Sequence, residues 1–195
     1  MIYCYDCRFE NRATPCLDAQ GRRDFDKLAA AYIDELRARR TAGTAPLDSW
    51  ACECVNELEH ADPRSTLFFV LVALDKLTAD IRHFVAMLAA GPLLTILVNF
   101  ADDMIGPVEV IGRKSPKFRL LLSAILGQGR MKAHIFARLR AVLAHEASLE
   151  DEDGASGSGS DLAAAREREA RTLVCTRVLD DLGGRAAAAA IVGLT

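Results

Sequence analysis

The chain has 195 residues, of which 51% are apolar and 26% charged, and its formal net charge is −3. A chain of this length can bury a hydrophobic core, and its composition excludes a disordered, collagen-like or disulfide-dense protein. Aromatic residues make up only 6% of the chain, and alanine and leucine dominate the apolar residues. This balance favours helices over sheets, so we predict an all-α protein.

Residues 1–21 form a Cys-rich N-terminal segment without helical periodicity. The first residues, MIYCYDCRFENR, lack the basic stretch and apolar run of a secretory signal, and neither end carries a lipidation motif. We therefore expect a cytoplasmic protein. In that reducing compartment the six cysteines are thiols or metal ligands rather than disulfides.

The cysteines suggest a possible zinc site. A C-x-x-C pair supplies two thiolates with the spacing that tetrahedral zinc requires. The candidate ligands are Cys4, Cys7, Cys16 and Cys52, with Cys54 or His60 as substitutes for the last. A redox C-x-x-C and unligated thiols that pack as small hydrophobes are the alternatives, because the second close pair of a zinc ribbon is missing.

A helical domain is predicted over residues 22–147, and prolines divide it. Pro is tolerated at the first position of a helix, where its missing N–H has no intrahelical partner. Pro46, Pro63, Pro92, Pro107 and Pro116 all suit that position, with Asp62 and Ser115 as N-caps. The predicted helices span 24–40, 47–60, 63–77, 80–90, 92–103, 107–114, 116–127 and 130–147.

The run Thr66–Leu74, TLFFVLVAL, is apolar on all sides. We predict a central helix rather than a buried strand, because no partner strand is visible elsewhere. Short turns between helices favour antiparallel neighbours. The predicted architecture is a compact helical bundle or a short HEAT-like stack of antiparallel helices.

After the helical domain, residues 148–160 form an acidic and Gly/Ser-rich stretch, which we interpret as a linker. Residues 161–195 are predicted to form a C-terminal helix, ending near Leu182, and an Ala-rich tail.

The stretch Phe84–Phe100 contains no charged residue. It approaches the length of a membrane span, but Gly91-Pro92 interrupts it and Asp102-Asp103 follow closely. We therefore predict two core helices that meet at a Gly-Pro turn, and no membrane span.

The region Trp50–Leu126 resembles an uncharacterised bacterial family, one of the domains of unknown function. The resemblance rests on the Trp50 region, Ala89-Ala90-Gly91-Pro92-Leu93, Glu109, and Ser115-Pro116-Lys117-Phe118-Arg119 followed by Leu121-Leu122. It implies an all-helical fold and a bacterial cytoplasmic protein, and no activity. Leu94 stands where the family has an acidic residue.

A basic tract follows, with eight Lys or Arg and no Asp or Glu between Arg113 and Arg140. Such a face can meet an acidic protein surface or phosphates, although a solvated surface has the same pattern. The predicted partner-binding residues are Arg113, Lys114, Lys117, Arg119, Arg130 and Lys132.

No sequence motif of a catalytic site is visible. The four histidines form no HExxH, and no P-loop, GxGxxG or GxSxG is present. We therefore predict a non-catalytic protein-binding module, with an immunity-type or regulatory partner protein as one specific form. The alternatives are a nucleic-acid-binding regulator that uses the basic tract and a zinc-stabilised helical domain.

Overall fold

The computed structural model describes residues 16–42, 49–77, 81–125, 130–150 and 177–194. Within these ranges the regular structure is helical, apart from one isolated bridge between Leu17 and Arg23. The prediction of an all-α fold is confirmed, and the helices form a bundle.

Ten α-helices follow one another in the described ranges. They are α1 (Phe25–Ala42), α2 (Trp50–Ala61), α3 (Pro63–Lys76), α4 (Ile81–Leu88), α5 (Leu94–Asn99), α6 (Ala101–Lys114), α7 (Pro116–Ile125), α8 (Ala133–Glu150), α9 (Val178–Asp181) and α10 (Arg185–Val192).

Two helices begin as the proline pattern predicts. At α3 the Asp62 carboxylate accepts a hydrogen bond from the Ser65 N–H at 3.0 Å, and Pro63 occupies the first turn. At α7 the Ser115 hydroxyl oxygen accepts from the Phe118 N–H at 3.4 Å, directly before Pro116. In both cases a side chain satisfies a backbone donor that the helix itself leaves unpaired.

Helix α3 is the centre of the bundle. Every residue from Ser65 to Asp75 is buried, which confirms the predicted central helix. A helix that is apolar on all sides must be covered on all sides. Its neighbours are α1, α2, the turn Ala89–Leu93, α5, α7, α9 and α10.

The stretch Phe84–Phe100 is part of the core, but Gly91-Pro92 does not form the tight turn that we predicted. The Leu94 N–H donates to the Ala89 carbonyl, five residues earlier, so the chain makes one wide π-type turn that is kinked at Gly91. Pro92 cannot donate a helical hydrogen bond and its ring conflicts with regular α-helical geometry, and the chain departs from that geometry at Gly91, directly before it. In the described ranges no helix has the length and apolarity needed to cross a bilayer.

The predicted break at Pro107 is wrong. Helix α6 runs through Pro107, and the chain leaves helical geometry at Phe100 instead, where φ is −128° and ψ is 28°. The buried side of α6 continues across the proline, from Met104 through Val108 to Ile111. This continuous packing outweighs the hydrogen bond that Pro107 cannot donate.

Both ends of the described chain join the bundle. Cys16 is fully buried in the core, although we assigned it to an irregular N-terminal segment. Helix α8 extends to Glu150, so the first residues of the predicted linker are helical. The Ala-rich tail forms α10, with a turn at Gly183-Gly184 between α9 and α10. Residues 151–176, with most of the predicted linker and C-terminal helix, lie outside the described residues.

Candidate functional site

Helices α6 and α8 pack side by side and present charged side chains to solvent. We call this surface the α6–α8 face. Its members are Asp102, Asp103, Val110, Arg113, Lys114 and the partly covered Glu109 from α6, Lys132 directly before α8, and His134 and Arg138 in the first turns of α8. The inner sides of the two helices touch closely, since a Cβ added to Gly112 would lie 2.7 Å from Val142 Cγ1. The face therefore lies on a fixed pair of helices.

The strongest polar contact of the face joins Glu109 to Arg138. Arg138 Nε donates to Glu109 Oε1 at 2.7 Å, and a terminal guanidinium nitrogen donates to Oε2 at 2.8 Å. These hydrogen bonds hold the pKa of Glu109 below its usual value, and Arg113 at 3.9 Å adds a further positive charge. The paired geometry is the one that a guanidinium and a carboxylate prefer.

A second, more exposed group lies at the other end of the face. Lys132 Nζ donates to Asp102 Oδ2 at 2.7 Å, and the His134 ring lies 3.4 Å from Oδ1. Hydrogen bonds from Lys132 and His134 lower the pKa of Asp102. All three side chains are more than half exposed, so this group contributes little to stability.

The six predicted partner-binding residues do not share one surface. Arg113, Lys114, Arg130 and Lys132 are exposed. Lys117 is fully buried, and its Nζ donates to the Leu77 carbonyl at 2.8 Å, near the end of α3. Arg119 is half-buried and donates to the Gly112 carbonyl at 3.0 Å, in the last turn of α6. Lys117 and Arg119 therefore satisfy backbone carbonyls at helix ends.

The described cysteines form no metal centre. Cys16 and Cys54 are buried, and Cys52 is half-buried with its sulfur 3.1 Å from a guanidinium nitrogen of Arg39. Over the described part of the chain, no group of three or more His, Cys, Asp or Glu is placed to hold a metal ion. Cys4 and Cys7 lie outside the described residues, so the zinc prediction remains a prediction.

Two buried titratable side chains are Glu59 on α2 and Tyr32 on α1. Burial raises the pKa of Glu59, although the Thr95 hydroxyl and His60 oppose the rise. Burial also raises the pKa of Tyr32, whose ring packs edge-on against Phe69 with the centroids 5.3 Å apart. These groups lie inside the bundle.

The amino-acid sequence was compared with known protein families, curated proteins and solved structures. Residues 38–147 match DUF6869, a family of unknown function. The chain belongs to this family. No curated protein and no solved structure matches the chain significantly.

The DUF6869 match contains the whole region of the resemblance, Trp50–Leu126. It extends from the last turn of α1 nearly to the end of α8, and so includes both helices of the α6–α8 face. Most of α1 and all of α9 and α10 lie outside the match. Leu94, where the resemblance implied an acidic residue, is buried in the core.

Sequence reasoning missed the acidic partners of the basic tract. Asp102 and Glu109 precede the tract in the chain, and only the packing of α8 on α6 brings Lys132 and Arg138 beside them. A second missed set, in the C-terminal region, joins α9 to the body through Asp75, Ser115, Arg177 and Asp181. The only sequence signal for Asp75 was its position at the end of an apolar run.

Proposed function

We propose that this DUF6869 protein is a non-catalytic protein-binding module of a bacterial cytoplasm and that the α6–α8 face is its contact surface. The observation that carries the proposal is the mixture of exposed positive and negative charges on this face. Alternating charges of this kind give specificity and speed to protein association. A regulatory or immunity-type role is the more specific form of the same proposal.

The composition of the face favours a protein over a nucleic acid. Glu109 engages Arg138, and Asp102 engages Lys132. Both carboxylates would repel a phosphate backbone at the positions where a nucleic-acid interface needs uncompensated positive charge. A protein partner with both kinds of charge can pair with this face without that repulsion.

The outer side of α6 adds an apolar element to the face. Val110 is 37% exposed, and Gly106 has open space where a side chain would project. Pro107 follows Gly106 in the chain and is half-buried. A partner backbone can therefore approach this part of α6 closely, between Asp103 and Lys114.

The test uses the full-length chain, immobilised and exposed to an extract of its source cells, with captured proteins identified by mass spectrometry. The face variant is Lys114→Glu with Lys132→Glu, two exposed lysines of this face. The matched control is Lys27→Glu, an exposed lysine on α1. We expect one or more proteins that the wild type and the Lys27 variant retain and the face variant loses.

Two results contradict the proposal. One is the absence of any protein that distinguishes the wild type from a blank matrix. The other is the same set of captured proteins for the face variant and the wild type. Binding to DNA or RNA that falls steeply with salt, and that the face variant loses, would replace it with the nucleic-acid alternative.

A further inference from the structure

We propose that Glu59, Thr95 and the Gly91 carbonyl form a proton-linked relay, in which the protonation state of the Glu59 carboxyl controls the hydrogen bonding of the turn Ala89–Leu93. The turn lies in the DUF6869 region and connects α4 to α5. Single π-type turns of this kind are rare and frequently occur at functional sites. The inference concerns this turn alone and does not depend on the proposed function of the α6–α8 face.

The Thr95 hydroxyl contacts the turn from the first residues of α5. It donates to the Gly91 carbonyl at 3.0 Å, four residues earlier in the chain. The same carbonyl also accepts the Leu94 N–H, which is shared between Gly91 and Ala89. A threonine that bonds back in this way often bends a helix, and the backbone leaves helical geometry at Gly91, where φ is −94° and ψ is −107°. One side-chain donor and one backbone donor therefore hold the Gly91 carbonyl.

Glu59 offers the Thr95 hydroxyl a second acceptor. Its helix, α2, packs against both α5 and the turn, and Glu59 is 9% exposed. Burial raises the pKa of Glu59, whereas a hydrogen bond from Thr95 and the charge of His60 oppose the rise. A threonine hydroxyl carries one hydrogen, so it cannot donate fully to the Gly91 carbonyl and to the Glu59 carboxylate at the same time.

The two protonation states of Glu59 favour two hydrogen-bond arrangements. A neutral Glu59 carboxyl donates its O–H to Thr95 Oγ1, and the Thr95 hydroxyl donates to the Gly91 carbonyl, as the structure shows for this second bond. When the carboxyl loses its proton to solvent, it becomes a charged acceptor, and a charged acceptor competes more strongly for the Thr95 hydrogen than a neutral carbonyl does. The Gly91 carbonyl then keeps only the Leu94 N–H.

The titratable and charged groups that face Glu59 come from α1 and from α2 itself. Burial raises the pKa of Tyr32 on α1, Cys52 and Glu59 add to the rise, and Arg39 opposes it. His60, the next residue on α2, is exposed.

The remaining elements that pack against α2 supply no further charge to the relay. Helix α5 and the turn contain no charged residue. The charged side chains of α3 engage other groups, since Arg64 donates to the Val192 carbonyl, Asp75 pairs with Arg177, and Lys76 pairs with Asp26. Thr95 is therefore the group through which ionisation of Glu59 reaches the turn.

Nuclear magnetic resonance of the full-length chain tests the relay. A titration from acidic to neutral pH follows the side-chain carboxyl carbon of Glu59 and the backbone amide of Leu94 in the same sample. We expect the Glu59 carboxyl to titrate with a midpoint above its ordinary value of 4.5. The Leu94 amide signal should shift with the same midpoint, because the Leu94 N–H shares the Gly91 carbonyl with Thr95.

The first variant, Thr95→Val, removes the hydroxyl and keeps the branched shape of the side chain. We expect the Glu59 midpoint to move to higher pH, because the carboxylate loses a donor, and the Leu94 shift at that midpoint to disappear. The matched control is Thr66→Val. It removes a similar hydroxyl bond, from Thr66 to the Asp62 carbonyl at 2.9 Å, and should leave both titrations unchanged.

The second variant, Glu59→Gln, replaces the carboxyl with an amide that does not ionise. We expect the Leu94 amide to lose its pH-dependent shift at the wild-type midpoint of Glu59. Its matched control is Glu57→Gln on the same helix, which should preserve the shift of the Leu94 amide.

The proposal is overturned if the Leu94 amide of the wild type does not shift with the Glu59 midpoint. It is also overturned if the shift persists in folded Thr95→Val, since the charge would then act on the turn without the hydroxyl. If Thr95→Val does not fold, the other two proteins decide. The shift must appear in the wild type and be absent from Glu59→Gln.

Discussion

Two of the arginine–carboxylate pairs that join distant helices in the described chain differ in what the carboxylate holds. Glu109 accepts only side-chain donors, from Arg138 on α8, at the edge of the α6–α8 face. Asp75 accepts the Arg177 side chain and also the Leu179 backbone N–H. The first pair aligns two helices that are already packed, whereas the second fixes the start of a helix.

This difference determines how much each pair contributes to stability. An exposed guanidinium can recover its hydrogen bonds from water when its partner is removed. A buried backbone N–H recovers them less readily, and a buried donor without an acceptor costs about 1–3 kcal/mol. We therefore expect loss of Asp75 to destabilise the protein more than loss of Glu109.

The largest effect is expected for Asp75→Ala. It leaves Arg177 and the Leu179 N–H without their acceptor, and we expect the free energy of unfolding to fall by about 2 kcal/mol. Urea denaturation followed by circular dichroism measures it. The control Asp34→Ala removes an exposed carboxylate that pairs with Arg37 within α1, and should change stability by less than about 0.5 kcal/mol. Equal losses of stability for both variants would show that the contacts of Asp75 with Arg177 and the Leu179 N–H contribute no more than an exposed ion pair.

An effect of similar size, about 2 kcal/mol, is expected for Gly112→Ala, which tests the packing beneath the α6–α8 face. The new methyl group would meet Val142 Cγ1 at 2.7 Å and Leu122 Cδ1 at 3.1 Å. The β-branched Val142 side chain has little freedom to move away. Thermal unfolding of the variant gives the loss.

The matched control for this substitution is Gly106→Ala on the same helix, where the new methyl group meets open space. We expect a change within about 1 kcal/mol, because the gain in helix propensity is opposed by the clash of a Cβ with the following proline. A loss at Gly106 as large as that at Gly112 would show that α8 packing is not the cause.

The smallest effect is expected for Glu109→Gln, with a loss of about 1 kcal/mol at neutral pH. Arg138 lowers the pKa of Glu109 in the folded state, from an ordinary value of 4.5. The pair therefore stabilises the protein fully above that ordinary value, and the contribution is lost as the pH falls through the lowered pKa. Unfolding measured between pH 7 and pH 3 should show the wild type and the variant converging at acidic pH. A constant difference across this range would exclude the charge as its origin.

Local sequence signals were sufficient for much of the fold. The apolar run Thr66–Leu74 predicted the central helix, because a helix without a polar side must be buried. Asp62-Pro63 and Ser115-Pro116 predicted two helix starts, because N-capping involves atoms only a few residues apart. Pro107 misled the prediction because a continuous buried side of α6 overrides the local preference of one proline.

The site was less predictable because its contacts cross long separations in sequence. Lys117 looked like one basic residue among eight, but it reaches the Leu77 carbonyl, 40 residues away in the chain. Arg177 and Asp75 are separated by 102 residues. Nothing in the local pattern around these residues encodes such pairs, since they depend on how the helices pack after they have formed.

The wide turn at Ala89–Leu93 has a consequence for the spacing of the core. A π-type turn contains about one residue more than an α-helical turn, so it rotates everything after it by roughly 100° about the helix axis relative to an uninterrupted helix. Leu88 and Ala89 before the turn and Leu93, Leu94, Ile96 and Leu97 after it are all buried. The extra residue therefore changes the direction in which the apolar side faces. Two helical segments that follow each other almost without interruption can in this way both bury their apolar sides in the same core.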